Sequence, residues 1–140
     1  LLLKYTLWIG GIIAALLVFT VMIGKKITGI AVYAKNAGFT GADLLTAVAV
    51  ALAESGGDPN AYNPETAAGT PEGLGSYGLW QIYLKAHPEF QGQNLFDPQT
   101  NANAAYSVYR AAGNSFRPWS TYLNGAYTAH LDEAERMVST

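Results

Sequence analysis

This 140-residue chain predicts a mainly α-helical domain preceded by one membrane-spanning helix. Three observations carry that expectation. Tyr5 through Gly24 is uncharged and mostly apolar, and is bracketed by Lys4 and the Lys25-Lys26 pair. Downstream, apolar residues recur at helical spacing in segments that open on capping residues and close on glycine. Between them, residues 58–76 are rich in glycine, proline, asparagine and threonine and read as loop. With half its residues apolar, the chain has room for one small globular domain and one membrane segment, divided as residues 1–25 and 26–140.

The stretch of about 20 apolar residues is long enough to cross a hydrocarbon core as a helix. A secretory signal would have a shorter apolar region and a small-residue cleavage site, whereas two lysines follow here. Lys25-Lys26 would, by the positive-inside tendency, hold the following domain in the cytoplasm. A start at Leu1 rather than methionine is expected of a processed product or a portion of something longer.

Lys25 to Ala37 is expected to be helical, with Ile27, Ile30, Ala31 and Ala34 on one apolar face and Gly38 at its end. No flexible linker separates it from the span, so the domain should sit close to the bilayer. Thr40 is placed to cap the next helix, with Asp43 approximating a capping box. That helix runs to Glu54, where Ser55-Gly56-Gly57-Asp58-Pro59 must break it. Leu79 to Ala86 reads as a short helix ending before Pro88. Asp97-Pro98 starts a helix reaching about Ala112, since the aspartate can cap free amides and proline at the first position loses no hydrogen bond. After a stop at Gly113, Trp119 to Asn124 forms a short segment and Tyr127 to Val138 a last helix.

Composition narrows the chemistry. Beyond the span, acidic residues outnumber basic ones ten to seven, with no basic stripe, which argues against nucleic acid as a ligand. Absence of cysteine removes disulfides, thiolate chemistry and cysteine-based metal sites. His87 and His130 lack HExxH or other ligand spacing, so structural or surface roles are expected of both. No metal and no cofactor is expected.

Glu54 is the candidate catalytic residue. A carboxylate at the C-terminal end of an apolar helix meets the negative end of the helix dipole and packed hydrophobic side chains, and both disfavour its ionisation. A carboxylic acid that stays protonated near neutral pH is what a glycosidic oxygen needs in order to leave. The alternative is a solvated helix-terminal residue. Glycosidases commonly pair such an acid with a second carboxylate. Asp58 lies in an Asp-Pro-Asn turn that favours local backbone bonding, and Asp97 is better explained as a cap, so neither is a convincing partner.

Glu54-Ser55-Gly56 is followed by Gly78-Leu79-Trp80-Gln81-Ile82, by Asn101-Ala102-Asn103-Ala104-Ala105 and by Trp119-Ser120-Thr121-Tyr122-Leu123-Asn124-Gly125-Ala126-Tyr127. In that order and spacing, from about Lys26 to Tyr127, the chain resembles the lytic transglycosylase branch of the lysozyme-like superfamily. The segments are of the kind found in phage tape-measure and virion-associated wall-degrading proteins. The resemblance implies a lysozyme-like domain, α+β with minimal β, that cleaves the β-1,4 bond between N-acetylmuramic acid and N-acetylglucosamine in peptidoglycan. It further implies that no second carboxylate is needed. The substrate's acetamido group stabilises the developing charge, the C6 hydroxyl attacks, and a 1,6-anhydro-muramic end results.

By the same resemblance Gln81 would hydrogen-bond the acetamido group, beside Trp80 in place of the family's methionine. Ser55 would order the adjacent loop or a bound sugar. Tyr122 would hydrogen-bond Glu54, and Asn124 would match the family's asparagine, although Leu123 intervenes. Among the many aromatic residues, Tyr62 and Tyr77 on the loop are expected ligand contacts, while Tyr106 and Tyr109 are expected to pack.

The partners expected are glycan strands of peptidoglycan, the membrane through residues 5–24, and other virion or tail proteins. A phage particle protein that carries its own membrane segment to the wall escapes the conflict posed by Lys25-Lys26, and would open the wall locally during genome entry. A bacterial envelope location outside the cytoplasmic membrane is the alternative. Competing functions are a hydrolase of the same bond and a non-catalytic, membrane-spanning structural or channel component of a virion or secretion apparatus.

Overall fold

From Leu44 to Leu52 only Thr46 is polar, and a helix that is apolar on all sides has to be enclosed by other elements. The computed structural model describes residues 29–140. In it this stretch is the middle of helix α2 (Gly41–Ser55), and Ala47 through Ala51 retain no exposed surface. Each fully buried valine there contributes roughly 1.5–3 kcal/mol of transfer free energy, and the interleaved alanines let neighbouring elements approach closely. Those neighbours are chiefly the 3₁₀ turn Ala126–His130 and helix α5 (Leu131–Val138), with the short helix α4 (Ser120–Leu123) beside them.

Helix α1, described over residues 29–37, buries Ile30, Ala31 and Ala34, the face expected from its periodicity. It closes where the Gly38 amide returns to the Ala34 carbonyl at 3.2 Å. Helix α3 (Pro98–Ala111) begins as the Asp97-Pro98 pair predicts, with Asp97 Oδ1 accepting from the Thr100 amide at 2.8 Å. Aromatic rings tie these parts together. Phe39 meets Tyr106 edge-on at 5.0 Å and stacks on Phe116 at 5.7 Å, and Phe116 in turn contacts Trp119 and Tyr122. Tyr106 and Tyr109 therefore pack, as expected.

The second region, between α2 and α3, has little regular structure. Three two-residue strands, β1 (Tyr62–Asn63), β2 (Ser76–Tyr77) and β3 (Ile82–Tyr83), form an antiparallel sheet in the order β1-β2-β3. Tyr62 lies opposite Tyr77 and Asn63 opposite Ser76; Ser76 and Tyr77 then face Tyr83 and Ile82. Strands this short make few ladder bonds, so side chains complete the work. Asn101 of α3, with no exposed surface, accepts from the Trp80 amide at 2.9 Å and donates to the carbonyls of Tyr77 (2.8 Å) and Leu95 (2.9 Å). Gly78 sits against this clip with φ of 72°. A Cβ there would collide with the Leu95 carbonyl and the Asn101 amide, so only glycine fits.

Several expectations change. Thr40 occupies the N-cap position but makes no side-chain cap bond, and Asp43 accepts instead from the Tyr109 hydroxyl at 2.6 Å. A tertiary partner has replaced the local capping box. Leu79 to Ala86 is not a helix: Gln81 lies in the left-handed region (φ 47°), Trp80 gives its amide to Asn101, and Ile82-Tyr83 joins the sheet. The expected last helix is divided into the Ala126–His130 turn and α5. The predicted membrane segment at residues 5–24 lies outside the described residues. Among those described, no helix is long and apolar enough to cross a membrane.

Candidate active site

Helix α2 ends where Gly56 turns left-handed (φ 62°) and its amide bonds the Leu52 carbonyl. This stop leaves Glu54 half-buried on the last turn, seven residues and about two helical turns beyond Ala47 on the same face. The Thr121 hydroxyl donates to Glu54 Oε1 at 2.6 Å. Burial pushes the Glu54 carboxyl above the usual carboxylate range; bonds from Thr121 pull it partly back, and the negative charge of Glu65 pushes it up again. Raising a carboxyl favours its neutral form, which is the form that can donate a proton.

Two indoles hold Thr121 in register with Glu54. Trp80 Nε1 donates to the Ala47 carbonyl at 2.9 Å, and Trp119 Nε1 donates to the Trp80 carbonyl at 2.8 Å. Trp119 is the residue from which α4 starts, and Thr121 follows two positions later. The relay from α2 through Trp80 to Trp119 thus fixes the hydroxyl that meets the carboxyl. Every member of it is buried, so the geometry is set by packing rather than by a mobile loop.

The expected ligand residues fall into different roles. Ser55 Oγ donates to the Ala51 carbonyl (2.9 Å) and accepts from the Gly57 amide (3.2 Å), ordering the turn after the acid. Trp80 has no exposed surface, so it is a core residue and not part of a sugar subsite. The hydroxyl on Glu54 belongs to Thr121 and not to Tyr122, whose ring stacks on Tyr127 at 5.0 Å. Asn124 is an exposed turn residue accepting from the Ala126 amide at 2.9 Å. Gln81 is half-buried; its Nε2 is committed to the carbonyls of Gly78 (2.9 Å) and Ala61 (3.2 Å). Its Oε1 has no partner among the described residues, so that oxygen remains available as an acceptor. Tyr62 and Tyr77 pair at 4.7 Å, with Tyr62 43% exposed, and Phe96 extends this aromatic edge at 5.3 Å from Tyr77.

Thr121 and Glu65 escaped the sequence reading. Thr121 sits inside a quoted motif beside a residue type better known for such bonding, and only the fold distinguishes adjacent hydroxyls. Glu65 follows Asn63-Pro64 in a stretch that reads as loop, with no periodicity to mark it. Asp58 accepts the local backbone bond expected of it, from the Asn60 amide at 3.0 Å. Among the described residues, no group of histidine, aspartate and glutamate side chains is arranged to hold a metal ion.

The mainly helical architecture with one small sheet fits a lysozyme-like domain. No curated protein and no solved structure matches the chain. A family model described as a lysozyme-like domain matches residues 31–121, about two thirds of the chain, spanning Glu54, Gln81 and Thr121. That match, which includes the acid at the end of a buried helix, places this chain in the lysozyme-like domain family and, at family level, among the glycosidases and transglycosylases that act on peptidoglycan.

Proposed function

We propose that this protein is a lytic transglycosylase that cleaves the β-1,4 bond between N-acetylmuramic acid and N-acetylglucosamine. The observation that carries the reading is the half-buried Glu54 carboxyl, raised by its surroundings and oriented by Thr121 at 2.6 Å. Glu54 protonates the bridging oxygen, and the C1–O bond breaks with its electron pair passing to the leaving sugar. The substrate's acetamido group, held by Gln81 Oε1 through its N–H, shields the developing positive charge. Glu54, now a carboxylate, accepts the proton of the C6 hydroxyl as that oxygen closes on C1. The aromatic edge of Tyr62, Tyr77 and Phe96 offers flat apolar faces to neighbouring sugars.

The proposal extends to place. The uncharged segment Tyr5–Gly24 with Lys25-Lys26 at its domain side suits a component of a phage virion or tail that opens the wall locally during genome entry. Mass spectrometry of sugars released from purified peptidoglycan by the full chain tests the chemistry. Products with 1,6-anhydro-muramic ends are expected. Reducing ends one water heavier would assign a lysozyme-type hydrolase instead, and no products would overturn the enzymatic reading.

A further inference from the structure

A polar cavity of about 180 Å³ lies at the far end of α2 from Glu54, between the α1–α2 junction and the end of α3. Thr40, Asp43, Tyr106, Arg110 and Asn114 stand on its walls. Asp43 and Glu54 are eleven residues apart on one helix, about 16 Å along its axis, so this cavity is separate from the acid. Its frame is rigid. Phe39, buried at its back, meets the Tyr106 and Tyr109 rings at 5.0 and 5.1 Å. Gly38 has φ of 125°, and a Cβ there would lie 2.7 Å from the Tyr106 ring, so the rim closes only around glycine.

The charges on the walls distinguish this cavity from an ordinary surface cleft. Asp43 and Arg110 border one space and carry opposite charge, yet they do not pair: among the described residues the ion pair is that of His87 with Glu89. The Tyr109 hydroxyl holds Asp43 by Oδ2 at 2.6 Å, and that bond pushes the phenol up to about 12, so it remains a donor at neutral pH. Asp43 Oδ1 takes no hydrogen bond among the described residues, and Thr40 makes no cap bond. A carboxylate and a guanidinium held apart across a small polar space leave room for one molecule bearing both charges. Its ammonium would meet the carboxylate, and its carboxylate the guanidinium fork.

We propose that this cavity binds an α-amino acid zwitterion, with the ammonium on Asp43 Oδ1 and the carboxylate on Arg110. Peptidoglycan offers such a group wherever the diamino acid of a peptide stem is left uncrosslinked at its far end. Thr40 and Asn114 supply neutral hydrogen-bonding groups at the border. The inference goes beyond the cleavage reading and does not rest on it, since no bond is made or broken here.

The test is saturation-transfer NMR of diaminopimelic acid over the full chain, with two controls on the same carbon skeleton: pimelic acid, which lacks the amines, and cadaverine, which lacks the carboxylates. Diaminopimelic acid should bind, and each control should bind more weakly by about tenfold or more, the scale of one charge-assisted hydrogen bond. Asp43→Asn keeps an oxygen to accept from Tyr109 and should weaken diaminopimelic acid to a similar extent, as should Arg110→Gln. Should Asp43→Asn fail to fold, Arg110→Gln, an exposed position, carries the comparison. Pimelic acid binding as well as diaminopimelic acid would mean an anion site and overturn the zwitterion. Binding unchanged in Arg110→Gln, or no binding to wild type, would overturn the site itself, and either result leaves the cleavage reading intact.

Discussion

The two regions of the molecule are built by different means. Glu54 and Thr121 belong to the helical region, where α2 is enclosed on all sides and two buried indoles set the distance between acid and hydroxyl. Glu65 and Gln81 belong to the region of short strands, where two-residue ladders cannot impose geometry and polar side chains do so instead. The helical region is specified by shape and apolar burial, which are tolerant of conservative change. The sheet region is specified by directional bonds and left-handed backbone, which are not.

The largest effect is expected at Glu54, where the comparison can be broken by chemistry alone. Glu54→Gln should lower peptidoglycan cleavage by on the order of 10³-fold or more, the range ascribed to general acid and base catalysis. Stability should move the other way. A carboxyl whose folded-state pKa is raised binds its proton more tightly in the folded than in the unfolded chain, so it favours folding at low pH. That contribution is lost as pH rises from the unfolded value of 4.5 through the raised one. The amide has no charge to bury, so at neutral pH Glu54→Gln should melt above wild type and the difference should vanish in acid. A variant that melts below wild type at neutral pH would show that Glu54 serves the fold rather than opposing it.

Asn101→Ala tests the sheet region through its single buried clip. The change leaves the Trp80 amide and the carbonyls of Tyr77 and Leu95 without partners, at a cost of roughly 3 kcal/mol or more. Urea titration should show the loss, and hydrogen exchange should rise at residues 76–83 before it rises in α2. Uniform loosening of both regions would mean that they form one cooperative unit.

Thr121→Val is the smallest change and the sharpest comparison. It removes a hydrogen bond that pulls the Glu54 carboxyl down, so the acid should hold its proton to higher pH and the alkaline limb of activity should shift upward. Turnover should fall about tenfold through loss of orientation, worth about 1.4 kcal/mol in the barrier. An unmoved limb with unchanged turnover would refute the role of this bond in orienting the acid.

Legibility in the sequence followed the same division. The α1 face, the stop after Glu54, the Asp97-Pro98 start and the raised acid were readable because periodicity, caps and a helix dipole act within a few residues of chain. The sheet region misled, since Leu79 to Ala86 has helix-forming residues but surrenders the Trp80 amide to Asn101, 21 positions away. Aromatic residues misled similarly: Trp80 suits a sugar in isolation yet is enclosed, and the hydroxyl expected of Tyr122 on Glu54 is that of its neighbour Thr121.

By itself, then, the order of residues determined that a carboxyl would end an apolar helix before a glycine stop, because both facts are local and physical. Tertiary structure alone decided which hydroxyl meets that carboxyl. Thr121 reaches Glu54 from 67 positions later in the chain, and only packing and long-range hydrogen bonds could bring the two together.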